Sequence, residues 1–249
     1  MPGFGPVPVG TLLNVGVSSS GQVRPEEVKS REVGYLGEFR EYGISLDARW
    51  FREDLKQRIQ PTTVSQPLGP SCPVFELASG RCDYDDFVNG TEADISGWET
   101  QLLWQPTKTT RFGITHARVD IESRWLLPAS AGTPALAESN VDYLNRSSPR
   151  KSTSLSMRQR LFDRVTVAAF YHDVDGFKWT RNGQTFPYHR FDWRVAYDFR
   201  LASARGELAW TVRNDGQNHA EWQSGNASGV PHDNDLIGTR HFVSLRFDY

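Results

Sequence analysis

No apolar stretch in the 249 residues approaches the roughly 18 that a membrane helix requires, and mean hydropathy is −0.54. A helical membrane protein is therefore excluded. A membrane β-barrel is not, because its strands alternate apolar and polar residues and average out as hydrophilic. Excess positive charge is also lacking. Lys and Arg total 28 against 30 Asp and Glu, a net charge of −2, so composition offers no electrostatic footprint for nucleic acid. Cysteine is scarce. Cys72 and Cys82 share one stretch rich in Pro, Ser and Gly, a spacing that fits a local disulfide in an oxidising compartment. Two free thiols are the other reading. Neither cysteine has a second Cys or a His close in sequence, which argues against zinc.

Catalytic signatures are missing too. Gly16-Val17-Ser18-Ser19-Ser20-Gly21 misses the Gly-x-Ser-x-Gly spacing. No phosphate-binding Gly loop occurs. The six His form no i, i+4 pair. His172, Asp173 and Asp175 cluster before Gly176, either as a small site or as a strand running into a loop. Asp173-Val174-Asp175-Gly176 holds only part of a calcium-loop spacing. No enzyme activity, cofactor or metal is expected. Residues 1–23 are rich in Gly, Pro and Ser and lack the basic and apolar regions of a secretory signal. They are expected to form an unassigned flexible segment. An exported protein would need its signal upstream of Met1.

What the sequence has in abundance is aromatics, 12% of residues with eight Trp and eight Tyr, set in a period of two. Phe191, Trp193, Val195, Tyr197 and Phe199 share one face of a predicted strand, and Asp192, Arg194, Ala196 and Asp198 the other. One aromatic face and one charged face are what a strand between lipid and a wet lumen needs. Similar alternation starts at Ile44, Trp98, Leu155, Val165 and Leu208, more weakly at Val33 and Phe112. An antiparallel meander of about nine strands follows. Predicted connections alternate short and long. Short ones fall near Gly43, Thr107, Asp163 and residues 202–205, long ones at 60–90, 121–150, 176–187 and 214–238. Outer-membrane barrels are built this way, with short periplasmic turns and long external loops.

The chain ends on Val243, Leu245, Phe247 and Tyr249 in alternation. Soluble proteins rarely stop on an exposed aromatic strand, which invites edge-to-edge aggregation. This tail resembles the carboxy-terminal signal read by the outer-membrane assembly machinery, although that signal usually ends in Phe.

Three further segments carry a resemblance. They are Arg24-Pro25-Glu26 leading to Glu32-Val33-Gly34-Tyr35, the strand from Gly43 to Arg58-Ile59, and Asn89 to Ala93 leading into Gly97-Trp98-Glu99. Their order and spacing resemble the barrel of TonB-dependent receptors, over residues 24–249. The resemblance implies the carboxy-terminal part of a transmembrane barrel whose parent has about 22 strands. It implies a bacterial outer-membrane location, lipid and the assembly machinery as partners, and ferric siderophore or a similar nutrient as the parent's ligand. The family's plug and TonB-contacting segment are not found in these residues. Contact with the TonB complex would run only through that plug, and transport by this chain alone is not expected.

Trp179, Tyr188, Trp222 and His232 fall on or near predicted outer loops, as ligand contacts or as interfacial aromatics. The predicted lumen arginines (Arg49, Arg158, Arg160, Arg194, Arg200, Arg213) either steer an anionic chelate or pair with Asp47, Glu99, Asp192, Asp198 and Glu207 across strands. Pairing is the favoured expectation, since large barrels have polar interiors. Two competing functions stand beside the receptor. A small outer-membrane barrel enzyme needs a convergent Ser, His and acid. A soluble carbohydrate-binding β-sandwich would line a binding face with its Trp rows and stay soluble without detergent.

Overall fold

Period-two alternation becomes strands over most of the chain. The computed structural model describes residues 23–67, 81–126, 134–178, 183–201, 204–216, 218–219 and 236–248. Strands β1 (Glu27–Phe39), β2 (Ile44–Pro67), β3 (Arg81–Thr107), β4 (Thr110–Trp125), β5 (Lys151–Leu161) and β6 (Val165–Val174) come first. After two-residue strands β7 (Phe177–Lys178) and β8 (Gln184–Thr185) come β9 (Tyr188–Leu201), β10 (Ala204–Arg213) and β11 (Arg240–Asp248). Among the described residues, nine of these form one sheet in the order β1-β2-β3-β4-β5-β6-β9-β10-β11. It is an antiparallel meander. β1 and β11 each bond to one neighbour and stand at opposite edges, so the sheet does not close on itself. An odd meander leaves its edge strands running the same way, which rules out antiparallel closure between them.

Register sorts the side chains onto two faces. Leu155 lies opposite both Ile114 and Tyr171. Tyr171 in turn lies opposite Phe191, Val167 opposite Val195, and Leu208 opposite both Tyr197 and Leu245. The apolar row is therefore continuous over six strands. It is also exposed: Leu155 is 42% accessible, Trp210 46% and Leu245 58%. A sandwich would bury this face under a second sheet. On the charged face of the same strands, Ala196 and Ala209 are buried.

Aromatics on the apolar face concentrate toward its two ends. Trp193 meets Trp210 edge to face at 4.8 Å, and Trp98 lies 4.7 Å from the ring of His116. Nearer the short turns, Trp104 stacks on Phe112 at 5.4 Å and Phe199 meets Phe247 at 5.9 Å. Along β9, Trp193 and Phe199 are six residues apart, about 20 Å of strand. Aliphatic Val195, Val167 and Leu208 fill the interval.

The chain divides into two compact units. The larger holds residues 30–53, 95–121 and 143–249, and the smaller holds 1–29, 54–94 and 122–142. In the larger unit β1 and β2 contribute ten residues each (30–39 and 44–53), the length of a tilted membrane strand. The smaller unit corrects one expectation. Much of 60–90 was expected to be loop, yet β2 continues to Pro67 and β3 begins at Arg81. Polar Gln60 and Thr91 face each other there with a hydrogen bond between their buried side chains. Ladder bonds hold these strands although the residues give no apolar alternation. The expected long loop at 121–150 likewise contains a helix, α1 (Pro134–Asn145). Its start at Pro134 suits the first helical position, where no N–H is needed.

Candidate functional site

At the long-connection end of the larger unit, the charged face carries a ladder of rings. Alternation brings Phe170, His172, Tyr188 and Arg190 to this face, because His172 lies opposite Arg190 and Val174 opposite Tyr188. Phe170 stacks on His172 at 6.0 Å, His172 meets Tyr188 at 6.3 Å, and Tyr188 lies flat on His219 at 4.6 Å. The Arg190 guanidinium sits 6.0 Å over Phe170 and pairs with Asp192 at 3.3 Å. His219 is held from the backbone by a two-way bridge to Ile237, with bonds of 3.2 and 2.7 Å. Asn214 reinforces this base by donating Nδ2–H to the Ile237 carbonyl at 2.6 Å. Such a surface offers π faces and one cation, which suits a planar or anionic ligand.

Tyr188 was singled out from the sequence as a possible ligand contact, and Phe170 and His219, which the structure sets in the same ladder, were not. Phe170 looked like one more alternating residue. His219 stands 31 positions from Tyr188, beyond any local pattern.

Of the two readings of His172, Asp173 and Asp175, the structure follows the strand running into a loop. His172 and Asp173 are consecutive strand residues on opposite faces. Among the described residues no group of three potential metal ligands occurs. His172 Nδ1 instead shares a 2.7 Å hydrogen bond with Ser154 Oγ. A hydroxyl on an imidazole begins a nucleophile arrangement. Ser154, however, sits mid-strand between Thr115 and His172 in regular register, so its amide is committed to the ladder and offers no oxyanion donor.

Lower on the same face three of the six predicted lumen arginines pair with carboxylates. Arg49 bridges Glu99 and Glu32, the latter at 3.4 Å. Arg194 meets Glu207 at 2.6 Å and Arg160 meets Asp198 at 3.6 Å. Pairing was the favoured expectation, and these three arginines follow it. Among the described residues Arg158, Arg200 and Arg213 do not: Arg158 faces Arg111, Arg200 faces Arg205, and Arg213 lies 5.5 Å over the ring of Phe242.

In the smaller unit the motif residues converge. Asn89 accepts from the Arg24 N–H at 2.7 Å and donates to the carbonyls of Arg24 at 2.8 Å and Gln57 at 2.6 Å. Glu26 accepts the Ile59 N–H at 2.6 Å. Three segments far apart in sequence are thereby tied at one place.

A family model described as TonB dependent receptor-like, beta-barrel matches residues 2–246. The chain belongs to that family. Among solved structures, this TonB-dependent receptor barrel segment is similar to the FrpB iron transporter from Neisseria meningitidis, with a TM-score of 0.61 and 11% identity over 92% of this chain and 32% of that one. The ferric-catecholate import receptor Fiu from E. coli K12 matches with a TM-score of 0.59 and 15% identity, over 89% and 27%. The ferric enterobactin receptor PfeA from Pseudomonas aeruginosa matches with a TM-score of 0.59 and 17% identity, over 88% and 30%. At such identities the likeness shows the fold. This receptor segment spans about a third of the length of those structures. No curated protein sequence matches it.

Within the family frame, Val243, Leu245 and Phe247 of the terminal row face Trp210, Leu208 and Gly206. Tyr249, Trp179, Trp222, His232 and Cys72 lie outside the described residues, as does the side chain of Cys82.

Proposed function

We propose that this chain is the carboxy-terminal wall segment, residues 24–249, of an outer-membrane receptor that takes up a ferric siderophore or a similar nutrient. The observation that carries the reading is the exposed apolar face, continuous from Ile114 to Leu245, backed by a charged face. Only lipid satisfies such a face without a second layer of protein. The solved relatives whose titles concern iron or ferric chelates support the nutrient class. Tyr188, Phe170, His172 and Arg190 form the ligand-facing surface in this reading, at the external end.

Energised uptake needs more than this wall. The open edges at β1 and β11 call for further strands, because unpaired strand groups in lipid cost several kcal/mol each. The TonB complex would act through a plug that these residues do not supply. The assembly machinery would recognise the row ending at Tyr249.

Import of ferric siderophore into iron-starved cells tests the proposal. Cells holding only these 249 residues are expected to show no TonB-dependent uptake while the chain fractionates with the outer membrane. Uptake by the chain alone, or recovery in the soluble fraction without detergent, overturns it.

A further inference from the structure

Charge does not cancel everywhere on the charged face. Arg111 on β4 and Arg158 on β5 are direct register partners, and like charges placed opposite each other destabilise a sheet. Among the described residues no carboxylate pairs with either guanidinium, whereas Arg49, Arg160, Arg190 and Arg194 each have one. The row continues from Arg158 through Ala168 to Arg194. The methyl group of Ala168 leaves room between the two arginines.

The result is a concavity of about 380 Å³ that Arg111, Arg158, Ser156, Ala168 and Phe170 help to line. Asp192 lines it as well, but is engaged by Arg190 at 3.3 Å and by the Asn214 N–H at 2.9 Å. Arg194 is engaged by Glu207. Arg213, also in the lining, rests over Phe242. Two forked donors therefore line one space whose carboxylate, Asp192, is already engaged by Arg190 and the Asn214 N–H. Guanidinium forks match the oxygen edges of carboxylates and phosphates.

We infer that Arg111 and Arg158 form a binding site for a small, doubly charged oxyanion of the phosphate type. The site depends on the charged face alone and stands whether or not the apolar face meets lipid. It adjoins the ring ladder through Phe170, while Arg111, the second residue of β4 after the Lys108–Thr109 turn, lies toward the short-turn end.

The test is titration of the 249-residue chain, folded in detergent micelles, with inorganic phosphate at constant ionic strength held by sodium chloride. Saturable binding is expected, weakened at least about tenfold in Arg158→Gln and in Arg111→Gln. Arg158→Lys, which keeps the charge but cannot fork, falls between. Arg49→Gln removes equal charge elsewhere on the face and leaves binding unchanged. Without phosphate, Arg158→Gln unfolds at a higher temperature than the wild type, because the repulsion is gone; phosphate then stabilises only the wild type. Absence of saturable binding by the folded chain, equal binding by Arg158→Gln, or equal weakening by Arg49→Gln overturns the site.

Discussion

The rings of Phe199 and Phe247 meet edge to face at 5.9 Å over the backbone of Gly206. The three residues lie on neighbouring strands in one register, and a Cβ at the middle position would run into the Phe199 ring. Aromatic cover of a strand glycine pins register. A double-mutant cycle on Phe199 and Phe247 should give a coupling of about 0.5–1.5 kcal/mol. In Gly206→Val the coupling should fall toward zero, as read from urea unfolding in micelles. An unchanged coupling would show that the rings do not meet across this position.

Gly43 has φ of 64°, and a Cβ there would collide with the Gln105 carbonyl oxygen. The turn also accepts the Gln105 N–H at 2.7 Å. Left-handed backbone costs a non-glycine residue about 1–2 kcal/mol, and the clash with fixed backbone adds to it. Gly43→Ala is expected to destabilise by at least ~2 kcal/mol in the same assay. A loss below ~0.5 kcal/mol would mean that the turn relaxes freely.

Asn89 makes three hydrogen bonds to two distant segments. Asn89→Ala leaves those backbone groups without their partner, an expected loss of about 2–3 kcal/mol. Asn89→Asp keeps the acceptor for Arg24 N–H and sets a carboxylate against two carbonyls, so it should not rescue. Hydrogen exchange at Arg24 offers a local readout: faster exchange in Asn89→Ala, with exchange in β9 unchanged.

Arg49 draws Glu32 and Glu99 together from neighbouring parts of the face. All three side chains are about half exposed, so solvent and salt screen the network. Arg49→Gln should lower stability only slightly at low salt, and less at high salt. A salt-independent loss would point to packing against Phe51, whose ring lies 6.0 Å from the guanidinium.

Alternation made the larger unit legible. In Phe191 to Phe199 and in Val165 to Tyr171 the residue types alone assign each side chain to a face, and the register agrees. The short connections at Gly43 and Asp163 were legible for the same reason. The extension of β2 and β3 was hidden, because Gln60, Thr62 and Thr91 are held by ladder and side-chain bonds rather than by an apolar face. Helix α1 was hidden by its shortness and its place inside a long connection. At the candidate site, Tyr188 could be singled out for its type. Its stacking on His219 could not, since a bridge to Ile237 places that ring. The uneven fate of the arginines was hidden too. Only cross-strand register reveals that Arg194 meets a carboxylate while Arg158 meets Arg111.

In the proposed receptor wall, the face bearing Trp98, Trp104, Trp193 and Trp210 meets lipid. Tryptophan fluorescence of the chain in bilayers, quenched by lipids brominated at defined depths, measures this directly. Strong quenching is predicted, with Trp104 and Trp193 reporting opposite leaflets when each is the sole tryptophan, and weak quenching by aqueous iodide. Efficient iodide quenching with no effect of brominated lipid would contradict the account and place these side chains in water.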